Sequence, residues 1–207
     1  GKVGGAIQFD GVDDSVDTGW IPRLSRWTVA AWVKSPAAPK APVASGPVHC
    51  EENFQINWDH GTDSCRGAAG VRVGGVWHAA GFGDLEADTW YHLLATYDGE
   101  NPKAYRDGVL ISDNADPSGD SDSESSTLRF GGHSTADDAF FTGAVDDICI
   151  FACALDPDEV KALLCGKEPL AIAAGEARSH PLQATPAQPV AHAEPSTQTQ
   201  LAGPTAG

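Results

Sequence analysis

Asp146 falls in the run 144–151, AVDDICIF. A period of two puts Val145, Asp147, Cys149 and Phe151 on one side and Asp146, Ile148 and Ile150 on the other. A carboxylate on a face with two aliphatics needs a cation or several N–H donors, because an uncompensated buried charge is costly. A second set of acids, Asp10, Asp13 and Asp14, crowds the loop 10–19, DGVDDSVDTG. Turn hydrogen bonds are the alternative use for these side chains. A third set, Asp84, Glu86 and Asp88, lies in GDLEADTW (83–90). Glycoside hydrolysis requires two carboxylates about 5–10 Å apart across a cleft, and nothing in this spacing sets that geometry. The five histidines before residue 167 are scattered, with no HExxH and no GxSxG. The chain is therefore expected not to be an enzyme.

Sugar recognition calls for aromatic planes beside polar groups. Trp77 and His78 follow the Gly74-Gly75 turn, so at least one of them points outward. With Gln55, Asn57, Trp58, His60 and Arg72 they form a candidate carbohydrate patch on one sheet or its rim. Trp58 is in phase with Phe54 and Ile56, which also suits a core position. Trp20, Trp27, Trp32 and Trp90 read as core. The acidic loop 112–126 lacks the spacing of a helix–loop–helix calcium site, and a solvated surface is its plain reading.

The five cysteines leave at least one thiol without a partner in the chain. Cys50 and Cys65 flank the run NFQINW, and a bridge there would contribute ~3 kcal/mol in the chain-entropy model. The expected bridges are Cys50–Cys65 and one from Cys165 at a helix end, which could reach Cys153 or Cys149. Zinc held by Cys149, Cys153 and Cys165 lacks CxxC spacing.

These residues need a scaffold, and the patterning supplies strands. Short β-branched and aromatic runs recur at 6–9, 27–34, 53–58, 71–73, 76–80, 90–97, 104–106, 109–111, 128–130 and 144–151. Asp107-Gly108 and Gly74-Gly75 suit two-residue hairpin turns. Residues 35–47, rich in proline and alanine, must be a loop. Asp156, Pro157 and Glu159 form a D-x-x-E helix start, Val160, Leu163 and Leu164 an apolar stripe, and Gly166 a stop. The expectation is an all-β, two-sheet antiparallel sandwich over 1–166 with a short C-terminal helix. Residues 167–207 hold no Phe, Tyr or Trp and six of the fourteen prolines. Such a segment buries too little apolar surface to offset its ordering cost, so a disordered linker or tail is expected there.

A net charge of −16 and a pI near 4.5 disfavour nucleic acid or an anionic membrane as partner. Cysteines, no methionine and no apolar run of transmembrane length point to a secreted or cell-surface protein. The opening GKVGGA reads as the start of a fragment of something longer.

In order, AIQFDGVDDSVDTG, WTVAAWVK, WYHLLATYDG, YRDGVLI, LRFGGH, FTGAVDDICIFACAL and DPDEVKAL resemble the laminin G-like domain of the concanavalin A-like lectin/glucanase superfamily, over about 6–164. The resemblance implies a jelly-roll and a module that binds sugars or proteins beside other domains of a parent chain. It also implies a structural calcium ion where the first and last strands meet, on Asp10, Gly11, Asp13 and Asp146, with Asp14 or waters completing the shell. The paired acids E-x-D-x-x-E of the glucanase branch are absent. Cys149 and Cys153 replace an arginine and a polar residue of the family pattern. The expected function is non-catalytic recognition or adhesion of a glycan or extracellular protein. The alternatives are a spacer without a small ligand, or a carbohydrate-active enzyme whose residues have drifted.

Overall fold

Alternating apolar residues build strands that pair into two antiparallel layers in a computed structural model. It describes residues 1–2, 4–39, 46–59, 67–114, 116–123, 126–136 and 139–166. In chain order the strands are β1 (Ile7–Asp10), β2 (Val16–Asp17), β3 (Trp27–Lys34), β4 (Val48–Cys50), β5 (Phe54–Asn57), β6 (Ala68–Val73), β7 (Val76–Gly81), β8 (Tyr91–Tyr97), β9 (Pro102–Arg106), β10 (Val109–Asp113), β11 (Arg129–Phe130) and β12 (Thr142–Phe151), followed by α1 (Pro157–Leu164). The first sheet runs β1-β12-β3-β8-β9-β10 and the second β2-β11-β4-β5-β6-β7, six strands each. This is the expected sandwich, consistent with a jelly-roll. The expectation for residues 167–207 falls outside the described residues.

The core lies between the sheets. On β3, Trp27, Val29, Ala31 and Val33 face inward, meeting Phe54, Ile56, Val71 and Ala80 of the second sheet. Trp27 sits 5.2 Å from the Phe54 ring and 6.1 Å from Tyr97. A second cluster forms on the outer face of the first sheet. There Val160 and Leu163 of α1 cover Ala30, Leu94, Tyr105 and Phe151. The helix starts as its sequence dictates. Asp156 accepts from the backbone N–H groups of Asp158 and Glu159 at 2.8 and 2.9 Å, and Glu159 returns a bond to the Asp156 N–H at 2.9 Å.

Four expectations need correction. First, β12 carries a bulge between Asp146 and Cys149, with Asp147 at φ 50°. The extra residue shifts the alternation by one. Val145, Ile148 and Ile150 consequently pack toward the main core, whereas Asp146, opposite Trp32, faces outward with Cys149. Asp146 therefore does not share a face with the two isoleucines. Second, Trp20 is 44% exposed, and Trp32 and Trp90 are half-buried, because their side chains leave the inter-sheet layer. Third, β2 and β4 occupy stretches too short for alternation to declare them. Fourth, neither expected disulfide is formed. Cys50 is a buried free thiol and Cys165 an exposed free thiol. Cys50 points into the core and donates to the Ser126 carbonyl at 3.4 Å; burial pushes its pKa up to about 12. Cys65 lies outside the described residues. Cys149 is a half-buried thiol pushed up to about 11, by burial first and Asp147 second.

Candidate functional site

The outer face of the second sheet is polar where such faces usually turn to water. Its central row reads, strand by strand, Asp17, Arg129, His49, Gln55, Gly70 and Ala79. Gly70 leaves room for its neighbour, since a Cβ there would stand 2.7 Å from Cγ of Gln55. His49 and Asn57 are fully buried and Gln55 nearly so. Neither side-chain polar atom of Asn57 has a hydrogen bond, nor does Nε2 of His49. Unsatisfied buried groups of this kind are rare and call for an explanation.

At one end of this face Trp77 pairs with Arg72 in register. The Trp77 indole N–H donates to Oε1 of Glu51 at 3.3 Å. Arg72 lies between two carboxylates, 3.7 Å from Glu52 and 3.8 Å from Asp122. Asp122 comes from the acidic loop, and its two oxygens accept from the N–H groups of Gly74 and Gly75 at 2.9 and 2.8 Å. That acid therefore closes a hairpin. Glu51 and Glu52 are the central residues of the β4–β5 turn, closed by Asn53 N–H to Cys50 O at 3.1 Å. Glu52 has a φ of 70°, a conformation that disfavours a non-glycine residue and that recurs at functional sites.

The carbohydrate candidates divide. Arg72 and Trp77 sit together on the outer face, half-buried. Asn57 shares that face but is sealed from solvent. Trp58 is 1% exposed and donates its indole N–H to the Ala37 carbonyl at 3.0 Å, so its ring is core and offers no plane to a sugar. His78 pairs with Val71 and turns to the opposite face from Trp77. His60 lies outside the described residues. Glu51, Glu52, Asp122, His49 and His133 were missed. A signal existed in His49-x-Glu51, two residues apart where β4 runs into its turn.

The four residues expected to bind calcium do not assemble. Asp10, Asp13 and Asp14 do gather, with ligand atoms within 4.8 Å. Asp10, however, pairs with Thr142 across β1 and β12, which puts Asp146 four residues along the strand, roughly 13 Å away. There Asp146 accepts from the backbone N–H of Lys2 at 2.8 Å and of Asp147 at 3.0 Å. The exposed loop already uses its acids. Asp10 accepts from Val12 N–H at 2.8 Å, and Asp14 from Asp10 N–H at 3.1 Å. Gly11 turns the chain beside Thr142. Three such carboxylates fall well short of the six to eight oxygens that calcium takes. Among the described residues the other three-ligand group is His49, Glu51 and His133, and neither group includes a cysteine.

Asp84, Glu86 and Asp88 stand exposed on the loop before β8. A pocket of about 110 Å³ at the sandwich rim, lined by Ser35, Trp58, Asp59, Phe140 and Thr142, is smaller than the ~300–1,000 Å³ of ordinary ligand pockets. The partly exposed end of this outer face, at Arg72 and Trp77, is the better candidate.

The family model of the concanavalin A-like lectin/glucanases superfamily matches residues 10–161. The chain belongs to this superfamily. Lectin/glucanase folds among solved structures superpose on it. A heptameric SAP-like pentraxin from Limulus polyphemus matches with a TM-score of 0.60 at 15% identity, over 77% of this chain and 81% of its own. Domain 4 of AbnA, a GH43 extracellular arabinanase from Geobacillus stearothermophilus in complex with arabinotriose, matches with a TM-score of 0.55 at 20% identity, over 79% and 78%. A candidate carbohydrate binding protein from Bacteroides ovatus matches with a TM-score of 0.58 at 15% identity, over 79% of this chain and 49% of its own. No curated protein sequence matches. No described helix is long and apolar enough to cross a membrane.

Proposed function

We propose that the chain is a non-catalytic recognition module of a larger secreted or surface protein, binding a glycan on the outer face of its second sheet. The observation that carries this reading is the outward pairing of Trp77 with Arg72, the indole N–H anchored on Glu51. An indole with one apolar face and a fixed polar edge, beside a guanidinium and two carboxylates, suits a sugar ring, which itself offers C–H faces and hydroxyl edges. The arabinotriose held by domain 4 of the arabinanase is in keeping with this reading. The acids before β8 are exposed on a loop, an arrangement that favours binding over hydrolysis. A glycan array followed by calorimetry tests the proposal. Trp77→Ala is expected to abolish binding while the melting temperature stays close to wild type. A blank array would favour a spacer role, and reducing sugar released from β-glucans, lost in Glu86→Gln, would establish an enzyme instead.

A further inference from the structure

Ring nitrogens from three separate stretches of chain surround the Glu51 carboxylate. The Trp77 indole N–H reaches Oε1 at 3.3 Å. Nε2 of His133 lies 3.2 Å from Oε2, and Nε2 of the buried His49 lies 3.8 Å from the same oxygen. His133 comes from the turn after β11, where its N–H bonds Ala139 O at 3.0 Å and Arg129 Nη1 donates to its carbonyl at 2.8 Å. The two imidazole rings are 4.0 Å apart and tilted by 37°.

Backbone N–H groups decide where the ring protons sit. Nδ1 of His49 accepts from the Ser134 N–H at 3.2 Å, and Nδ1 of His133 from the Thr135 N–H at 3.3 Å. A neutral imidazole has one acceptor nitrogen and one N–H, so both Nε2 atoms carry the proton and turn it toward Glu51. Neither ring keeps a lone pair on that side for a metal ion. The His133 N–H bonds Oε2, whereas that of His49 is too far for a hydrogen bond and adds only an electrostatic attraction. The Glu51 main chain is fixed as well, because its N–H donates to Ser134 Oγ at 2.7 Å. That hydroxyl also stands 3.1 Å from Nδ1 of His49. The His133 bond is the first cause that holds the Glu51 carboxyl below its usual range, so the group is charged at neutral pH.

We infer that His133 and Ser134 are positioning residues, which fix the Trp77 indole through Glu51. His133 supplies the N–H that aims the carboxylate, and Ser134 holds the backbone that carries it. Oε1 is thereby kept in place for Trp77. A charged acceptor holds an N–H more strongly than a neutral one. A ring locked before its ligand arrives also loses less freedom on binding. The use of this ring for sugar rests on the glycan reading above; its positioning does not.

Solvent exchange of the Trp77 indole proton, identified in NMR spectra by its loss in Trp77→Phe, tests this without any sugar. His133→Ala and Glu51→Ala should each speed that exchange at least ~10-fold, the scale of one hydrogen bond to a charged group. His133→Gln should keep the wild-type rate, since its amide N–H replaces the imidazole one. Backbone amides of β3 should exchange alike in all these proteins, which separates a local effect from loss of the fold. The glycan selected by the array should bind more weakly to His133→Ala and normally to His133→Gln. An indole rate or a glycan affinity unchanged in His133→Ala overturns the inference, as does a Gln variant no better than the Ala one. A blank array beside the expected indole rates would strike the glycan reading and leave the positioning role standing.

Discussion

Asn53 ties together three parts of the chain through one buried amide. Its Nδ2 donates to the Leu24 carbonyl at 3.0 Å, to Ser121 Oγ at 3.0 Å and to the Asp122 carbonyl at 2.5 Å. Those contacts set the acidic loop against the β4–β5 turn and so bring Asp122 to Arg72. Asn53→Ala takes the amide donor from the Asp122 carbonyl and Ser121 Oγ, while the Leu24 carbonyl keeps the Ser121 hydroxyl; such a loss costs about 1–3 kcal/mol. Urea unfolding is expected to report a stability lower by about 2 kcal/mol with an unchanged slope; a change within error would show that water replaces the amide. The residue was legible only as part of an alternating strand. Its partners lie up to 69 positions away, and no local pattern names them.

Among the elements, the turn after β11 is held by its fit against β1. A Cβ on Gly131 would lie 2.2 Å from the Phe9 ring, and φ there is +78°. Phe9 is a buried core residue that also meets Phe141 at 6.5 Å, so the ring has nowhere to retreat. Gly131→Ala combines left-handed strain with overpacking, each of order 1–3 kcal/mol. Expected is a loss of about 3 kcal/mol or failure to fold, read by thermal melting; a stability near wild type would mean that the turn moves freely. Elements with strong local signals were visible beforehand. β3 spans the anticipated residues, and the D-x-x-E start of α1 forms its reciprocal bonds. The bulge in β12 was not visible, because two adjacent aspartates fit an unbroken alternation as well as a broken one. That single inserted residue turns Ile148 and Ile150 to the face opposite Asp146, and the pairing of Asp10 with Thr142 keeps Asp146 out of the expected calcium set.

For the whole molecule, acid sensitivity follows from buried histidine. Burial holds the His92 imidazole below its usual range, against the opposing pull of Asp107 and Asp147. The ring packs on Trp32 at 5.2 Å, and its Nδ1 has no hydrogen bond. The unfolded chain takes up this proton near pH ~6.5, before the folded one does. Below that point the unfolded state holds more protons, so stability is full above it and falls as pH drops. His49, held down to about 3 by burial and by His133, acts with the same sign. Melting temperatures measured from about pH 8 to about pH 5 should fall across this range, and His92→Gln should shallow the slope. A flat wild-type profile would contradict the assignment.

Alternation, turn residues and a capping box are local, and they determined the strands, the closing helix and the sandwich class from the sequence alone. The order of motifs placed the chain in its superfamily. Only the tertiary structure decided which side chains meet. His49 and Ser134 are 85 positions apart and become neighbours because β11, two residues long, adds to the edge of β4. Pairing between distant strands depends on sheet order and on one-residue shifts of register, each of which turns a side chain from one face to the other. Two of the five histidines that looked scattered in the chain, His49 and His133, are for that reason brought together in the fold.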